Sequence, residues 1–266
     1  MQAPPEDWSA DLPPLLTTRW LGRSFWHLPQ CASTNDEAAT RANQGCAEGT
    51  LVAAEQQTSG RGRLGRTWHS PAGANLYFSF VLRPTLGPGA LPPLTLLVGA
   101  AVAETLDHMN IECRLKWPND IMLPTAAGMR KAGGILIEMA TASGSIKHVV
   151  VGIGLNVLLT GFPPELADRA TSLQLAGESA PSRLALLAAF LNAFEPLYEQ
   201  FLSHGTDFAL ACWRRYGWLG QACSVERESG SVTGHAVDVD PSGALVVQDG
   251  AGKRHVILSG EVVTKL

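Results

Sequence analysis

Three short stretches carry residue types that could do chemistry on anionic substrates. The first, Gly60-Arg61-Gly62-Arg63-Leu64-Gly65-Arg66, alternates glycine with arginine almost strictly. Glycine lets a backbone approach a ligand and adopt positive φ, and a guanidinium fork binds phosphate or carboxylate through two parallel hydrogen bonds. Such a loop can fold over an anion, although a solvated surface loop or a Gly-Arg RNA-binding patch has the same composition. Trp68, two residues on, favours a ligand site, because an indole beside arginines can stack on a base. The second stretch, Lys116-Trp117-Pro118-Asn119-Asp120, ends a strand, since Pro118 has no N–H to donate and forces a turn that displays Asn119 and Asp120. A single carboxylate among polar donors suits Mg²⁺ carried by a nucleotide, which keeps phosphate and water as its other ligands; an ordinary Pro-Asn-Asp turn is the alternative. In the third, Lys131-Ala132-Gly133-Gly134, paired glycines open an apolar strand and suggest close backbone approach by a ligand. Lys131 at its mouth could neutralise a carboxylate meeting a phosphate. Gly152-Ile153-Gly154-Leu155-Asn156 repeats the device on the next strand, and lacks the third glycine and following helix of a dinucleotide fingerprint.

The elements that must position these groups can be read from pattern. Ser33-Thr34-Asn35-Asp36-Glu37 starts a helix, with Thr34 and Glu37 at capping-box spacing and Gly45 as its stop. Residues 51–56 read as a strand, 57–71 as a loop, and 75–82 as a strand bearing Tyr77, Phe78 and Phe80. An apolar helix follows over 93–109, then strands over 113–117, 132–140 and 148–157, and helices over 182–202 and 207–216. After Gly220 the texture changes to short runs at 222–226, 232–239, 244–248 and 253–258. Gly230, Gly234, Gly243, Gly250 and Gly252 punctuate them, as in a small all-β unit. Pro4, Pro5, Pro13 and Pro14 make residues 1–22 a loose arm. Strands and helices mixed without strict βαβ alternation predict an α+β fold. The units are an arm (1–22), a large mixed domain carrying the three motif stretches (23–220) and a small β domain (221–266).

Composition excludes several classes. The chain of 266 residues is 45% hydrophobic and 17% charged, enough to bury a core. Its net charge of −4 and pI near 6.0 give no nucleic-acid footprint, and Arg61, Arg63 and Arg66 are too few to cover a duplex. Five cysteines, an odd number with no CxxC pair, indicate a reduced, cytoplasmic protein without structural zinc. The N-terminus has neither the basic nor the apolar region of a signal peptide. The uncharged stretch between Arg83 and Glu104 is broken by Pro84, Pro88, Pro92 and Pro93, so it predicts a buried helix rather than a membrane span.

In their order along the chain, Ser33-Thr34-Asn35, the GRGRxGR loop, Trp68, KWPND, Lys131-Ala-Gly-Gly and Gly152-Ile-Gly-Leu-Asn156 resemble the biotin–protein ligases, from about Ser33 to the C-terminus. The resemblance implies a mixed sheet flanked by helices, of the class II aminoacyl-tRNA synthetase-like kind, followed by a small SH3-like β-barrel. It implies an enzyme that makes biotinyl-5′-AMP from biotin and MgATP and biotinylates a lysine of a biotin carboxyl carrier protein. By resemblance, Ser33, Thr34, Asn35 and Gln57 bond the biotin ring, while Gly60, Gly133, Gly134 and Gly154 line its pocket. Arg61, Arg63 and Lys131 hold the biotin carboxylate and α-phosphate as catalytic residues. Trp68 packs on adenine with Asn119 and Asn156 near the nucleotide, and Asp120 helps hold Mg²⁺. Leu64 stands where many members carry a third arginine. About thirty residues precede Ser33, too few for the winged helix-turn-helix of repressor-type members, so a monofunctional enzyme is expected. Neither DNA nor membrane is expected as a partner, and a homodimer is possible. A lipoate or octanoate ligase or transferase shares the catalytic fold, but the GRGRxGR loop argues against it. A biotin-sensing repressor is disfavoured by the acidic pI, and a dead scaffold by the presence of Arg63, Asp120 and Lys131.

Overall fold

The structure, a computed structural model, describes residues 8–142, 144–177, 179–226 and 230–264. In chain order the elements are α1 (Trp8–Asp11), β1 (Phe25–Leu28), α2 (Thr34–Asn43), β2 (Leu51–Ala54), β3 (Asn75–Leu82), α3 (Leu91–His108), β4 (Arg114–Lys116), β5 (Asp120–Thr125), β6 (Gly128–Ala142) and β7 (Ser145–Asn156). Then come α4 (Pro164–Ala167), α5 (Arg183–His204), α6 (Thr206–Arg214), β8 (Ala222–Glu226), β9 (Val232–Val239), β10 (Leu245–Gln248), β11 (Arg254–Ile257) and β12 (Glu261–Thr264). Seven strands form a mixed sheet in the order β1-β2-β3-β7-β6-β5-β4, parallel at β1/β2 and antiparallel elsewhere.

The two-residue period of β3 sorts its side chains onto two faces. Leu76, Phe78 and Phe80 enter the main core, where Phe78 and Phe80 meet Phe190 of α5 at ring distances of 5.3 and 6.0 Å. Asn75, Tyr77 and Ser79 face the other way, opposite Asn156, Gly154 and Gly152 of β7. On that second face α2 lies over the sheet through Ala38 and Ala42, packed with Val52, Val81 and Val150. One face of the sheet is therefore hydrophobic core, and the other is apolar only under α2, leaving a polar and glycine-lined trough beside it. Helix α3 is long and apolar enough to cross a membrane, but 67% of its apolar window is buried inside the protein, so it serves as a core helix.

Strands β1, β5 and β12 were not legible as separate strands. β1 and β12 are only four residues long, and β5 starts directly after the Pro118 turn, inside what reads as loop. The segment expected to be a loose arm is packed from Trp8 onward: Trp8, Leu12 and Leu21 are buried. Buried Glu195 of α5 accepts the backbone N–H groups of Arg19, Trp20 and Leu21 at 2.6, 3.1 and 2.9 Å, tying that segment to the core.

The expected SH3-like barrel is not seen as a closed barrel among the described residues. The C-terminal strands form an open five-stranded sheet, β11-β10-β9-β8-β12, in which the edge strands β11 and β12 share no ladder among the described residues. Strand spacing predicts hairpins, but closure needs hydrogen bonds between the first and last edges. Here β12 instead presents Glu261 to Arg66 of the loop on the catalytic side. The α+β arrangement and the helix-flanked mixed sheet stand.

The N-terminal segment and α5 are also joined by charge. Glu55 accepts from Arg183 at 2.7 Å and lies 3.0 Å from His27 Nε2, with Trp8 stacked on His27 at 4.5 Å. The His27 hydrogen bond, with Arg183, outweighs burial and pulls the Glu55 carboxyl down to about 2. A carboxyl depressed in the folded state favours folding above its unfolded value near 4.5, and that contribution is lost as pH falls towards 2. Glu55→Gln should therefore lower stability at pH 7 by on the order of 3 kcal/mol. Urea titrations from pH 7 to pH 3 should show the gap to the parent shrinking below about pH 4.5; a constant gap would mean that Glu55 acts by packing alone.

Candidate active site

The trough opens into a cleft of about 760 Å³ that runs from the start of α2 to β12 of the C-terminal sheet. Ser33, Thr34 and Asn35, all buried, form one end because α2 begins there on the polar face of the sheet. Ser33 occupies the N-cap position, but no side chain caps the helix, so Ser33 and Thr34 are free for other partners. Gln57 Oε1 accepts the Thr34 N–H at 2.9 Å, and Gln57 Nε2 donates to Ser70 Oγ at 3.0 Å. Ser79 Oγ lies 2.8 Å from Thr34 Oγ1 and donates to Asn35 Oδ1 at 2.6 Å. This end is a fixed set of neutral donors and acceptors.

The floor is backbone. A Cβ on Gly154 would lie 2.5 Å from Trp68 Nε1, and one on Gly152 would lie 1.9 Å from Asn35 Oδ1. A Cβ on Gly133 would meet the Ile121 side chain at 2.8 Å, and one on Gly134 would sit 3.4 Å from Lys131 Nζ. Glycine at 152 and 154 is thus required by the side chains resting on the sheet, even before a ligand enters. Gly60 is held in the same way, since a Cβ there would meet Ser70 Oγ at 2.6 Å. Trp68 lies over the glycines, with Lys131 Nζ 5.4 Å from its ring, and its buried Nε1 has no partner. An unpaired buried indole N–H is costly and points to an acceptor supplied by a ligand.

The other end is cationic. A bulge at Ile121/Met122 sets Lys131 opposite Met122 and frees its backbone to pair with residues 169–171: Lys131 N–H donates to Arg169 O at 2.9 Å, and Thr171 N–H donates to Lys131 O at 2.8 Å. Lys131 Nζ meets Asp120 Oδ1 at 2.5 Å, and Lys116 Nζ stands 4.0 Å from Asp120 Oδ2. Lys116 is half-buried, and burial pulls its ammonium below the usual lysine range, with Lys131 adding to the effect and Asp120 opposing it. The loop closes as a tight hairpin (Gly62 N–H to Arg66 O 2.7 Å, Trp68 N–H to Gly60 O 2.8 Å) with Leu64 and Gly65 both left-handed at its tip. Arg61 forks onto Asp36 at 2.6 and 2.7 Å, and Arg66 forks onto Glu261, with one arm at 2.8 Å. Each of those carboxylates is held below its ordinary range, first by its arginine. Arg63 differs: its guanidinium donates to Asn119 Oδ1 at 3.4 Å, no carboxylate pairs with it among the described residues, and burial lowers its pKa. A half-buried guanidinium lacking a counter-ion is a ready anion site.

Of the site residues expected from sequence, all but Gly60 and Gly133 line this cleft; Gly60 packs against Ser70, and Gly133, paired with Ile121 and Leu155, turns to the core face of the sheet. Asn119 donates to Ile135 O at 2.8 Å, and buried Asn156 donates to Thr171 O at 3.0 Å, so both carboxamides are tied into the structure. Trp68 rests on the glycine floor next to the amide end. Asp120 has an ammonium facing each oxygen, and no group of three acidic, histidine or cysteine residues could hold a metal among the described residues. The donors present therefore do not make a resident Mg²⁺ site. Sequence reading missed Lys116, Ser70, Ser79, Glu138 and Glu261 as site residues. Lys116 lay inside the KWPND motif and Ser70 inside the loop 57–71; Ser79, Glu138 and Glu261 lie on strands whose pairing brings them here.

The chain matches the family described as biotin/lipoate A/B protein ligase over residues 28–156, and the biotin protein ligase C-terminal domain over 218–264. It is 34% identical over 245 residues to the Bacillus subtilis bifunctional ligase/repressor BirA, covering 91% of this chain and 74% of that one. It is 35% identical over 241 residues to the biotin–[acetyl-CoA-carboxylase] ligase of Mycobacterium tuberculosis, covering 88% and 86%. Among solved structures, the Aquifex aeolicus biotin protein ligase in complex with biotin and ATP superposes with a TM-score of 0.77 at 30% identity, over 91% of this chain and 99% of that one.

Gly152→Val should drive Asn35 off the sheet and cost about 1–3 kcal/mol by overpacking. Gly87→Ala, where a Cβ meets nothing within 4 Å, should be neutral. Thermal melts of both variants test this; equal melting temperatures would show that Asn35 moves aside freely.

Proposed function

The chain belongs to the biotin protein ligase family, and we propose that its cleft joins biotin to ATP at the boundary between the amide end and the cationic end. The enzyme forms biotinyl-5′-AMP from biotin and ATP and transfers biotin to protein. The observation that carries the placement is the polarity of the cleft. Neutral amides and hydroxyls lie at one end, Arg63 without a carboxylate partner and the carboxylate-paired Lys131 at the other, and Trp68 over a backbone floor between them.

In this reading, Ser33, Thr34, Asn35 and Gln57 hold the ureido ring, while Gly134 and Gly154 allow the thiophane ring and valeryl chain to lie against backbone, with Gly60 and Gly133 supporting that wall from behind. Trp68 walls the biotin chain with its indole N–H available to an acceptor. The valeryl carboxylate then meets the α-phosphate beside Arg63 and Lys131. Its oxygen attacks phosphorus, and pyrophosphate leaves. Two anions approach each other only where preorganised cations offset their repulsion in a water-poor site. Lys131 and Arg61 are already present on Asp120, Asp36 and Glu138, and Arg63 is free. Asn119 and Asn156 border the nucleotide side. Mg²⁺ enters as part of the nucleotide, and Asp120 is the group on this chain placed to face it once Lys131 turns to the substrate. In the second step a lysine amine attacks the acyl carbon, and AMP leaves. We take the acceptor to be the lysine of a biotin carboxyl carrier protein in the cytoplasm, consistent with the names of the ligase relatives and with five free cysteines. The catalytic unit is read as residues 23–220 and the C-terminal unit as 221–266.

Mass spectrometry of a biotin carboxyl carrier protein after incubation with enzyme, biotin and MgATP should show a single added biotin. Substituting lipoate or octanoate should leave the carrier unmodified, whereas modification by either acid would favour the lipoate branch. Lys131→Ala should lose most adenylate formation, by about 2.7–4 kcal/mol, on analogy with removal of an oxyanion donor; near-normal pyrophosphate release would remove Lys131 from the chemistry.

Arg63 acts at the hand-over between the two steps. Arg63→Gly should release biotinyl-5′-AMP to solvent, because the planar fork best matched to the phosphate is gone while the nucleophile, biotin's own carboxylate, remains. The freed mixed anhydride acylates lysines indiscriminately, so bulk albumin should become biotinylated. Unchanged selectivity at matched adenylate production would falsify the retention role.

A further inference from the structure

Glu138 lies on β6, outside every motif in the sequence, yet one of its oxygens reaches a buried amide of the site. Asn35 Nδ2 donates to Glu138 Oε2 at 2.6 Å and to Leu136 O at 3.3 Å, while Asn35 Oδ1 accepts from Ser79 Oγ at 2.6 Å. Both N–H bonds of the carboxamide are therefore used inside the protein, and what remains for a ligand is a lone pair on Oδ1. Ser79 does not fix this orientation, because a hydroxyl can donate or accept and would satisfy a flipped amide equally well. Leu136 O demands a donor but is more distant. Glu138 is an obligate acceptor while ionised, carries charge and makes the shorter contact, so its hydrogen bond is the stronger one.

We propose that Glu138 is a positioning residue for biotin recognition, fixing the Asn35 carboxamide so that Oδ1, an acceptor, is turned towards a ureido N–H. Asn35 is 4% exposed and is wedged against Gly152, so the amide can flip end for end but cannot swing away. A flipped amide would set two donors facing each other and lose the ligand bond. Glu138 is also half-exposed, and Arg61 Nη2 lies 3.3 Å from its Oε1 and 3.4 Å from its Oε2, both longer than the 2.6 Å amide contact, with Arg61 already forked onto Asp36. The amide contact is therefore the one on which recognition depends.

The inference rests on Asn35 belonging to the biotin end of the cleft, and the test separates the two. Steady-state carrier biotinylation is measured for Asn35→Ala, Glu138→Ala, Glu138→Gln and the double variant Asn35→Ala/Glu138→Ala. Glu138→Ala should raise KM for biotin about tenfold, with kcat changed by much less. Glu138→Gln, which keeps an oxygen acceptor and removes the charge facing Arg61, should restore KM to within about twofold of the parent. In the Asn35→Ala background, Glu138→Ala should add no further loss. If Asn35→Ala leaves KM for biotin unchanged, the placement of biotin fails. If Asn35→Ala raises KM and Glu138→Ala does not, the Glu138 role alone is overturned. Equal KM values for the Gln and Ala variants would also overturn it, because they would put the effect in the Arg61 ion pair. Glu138→Ser serves as a second truncation if the alanine variant unfolds.

Discussion

Joining a carboxylate to a phosphate demands fixed positive charge, and the folded chain has to hold that charge before either anion arrives. Two cations 4 Å apart near a protein surface repel by about 4 kcal/mol, so a bare cluster of arginines and lysines would oppose folding. The Lys131–Asp120 ion pair, 2.5 Å across the bulge between β5 and β6, resolves the conflict at the reacting centre. Arg61 on Asp36 and Arg66 on Glu261 resolve it around the rim. The two rim pairs are half-exposed and therefore weak, whereas Asp120 is largely buried beneath Lys131. Arg63 is left without a carboxylate partner among the described residues, and burial lowers its pKa.

The remainder of the structure serves this arrangement of charges. The bulge that aims Lys131 also releases its backbone to residues 169–171, which brings that segment against the cleft. The glycines of β6 and β7 leave room for Asn35 and Trp68 to lie directly on the sheet. Behind the sheet, the rings of Phe78, Phe80, Phe190 and Phe194 stack into a rigid core, so the floor cannot sag under a ligand. The C-terminal sheet reaches the same cleft through Gly260, Glu261 and Val262, and Trp117 of the KWPND turn is anchored to it by a 2.9 Å hydrogen bond to Gly243 O. Its open edge has a use here, since the strand that would close a barrel is instead turned towards the loop.

The N-terminal segment and the C-terminal sheet were misjudged from sequence for a shared reason. Prolines in the first residues suggested stiffness without attachment, but the attachment comes from Glu195, some 175 positions away, whose carboxylate takes up three successive backbone N–H groups. Glycine-punctuated runs correctly marked strands in the C-terminal part. They carry no information on whether the outer strands meet, and here those strands do not.

The sequence by itself determined the α+β arrangement, the helix-flanked mixed sheet and the chemistry, but not the form of the C-terminal sheet. Glycine and proline fix where strands open and stop, alternation fixes which residues share a face, and the order of the GRGRxGR, KWPND and KAGG motifs restricts the family. It also marked Arg63 and Lys131 as candidates, because cations beside glycines can meet an anion at close backbone approach. What only the tertiary structure decided is which partner each charge and amide has. Glu138 and Ser79 reach Asn35, and Glu261 reaches Arg66, through strand register and the approach of a distant edge. Those contacts span from 44 to 195 positions of chain and leave no local periodicity to read. Local pattern encodes what a residue can do, and long-range packing sets what it meets, since a hydrogen bond depends on ångström distances that no spacing along the chain specifies.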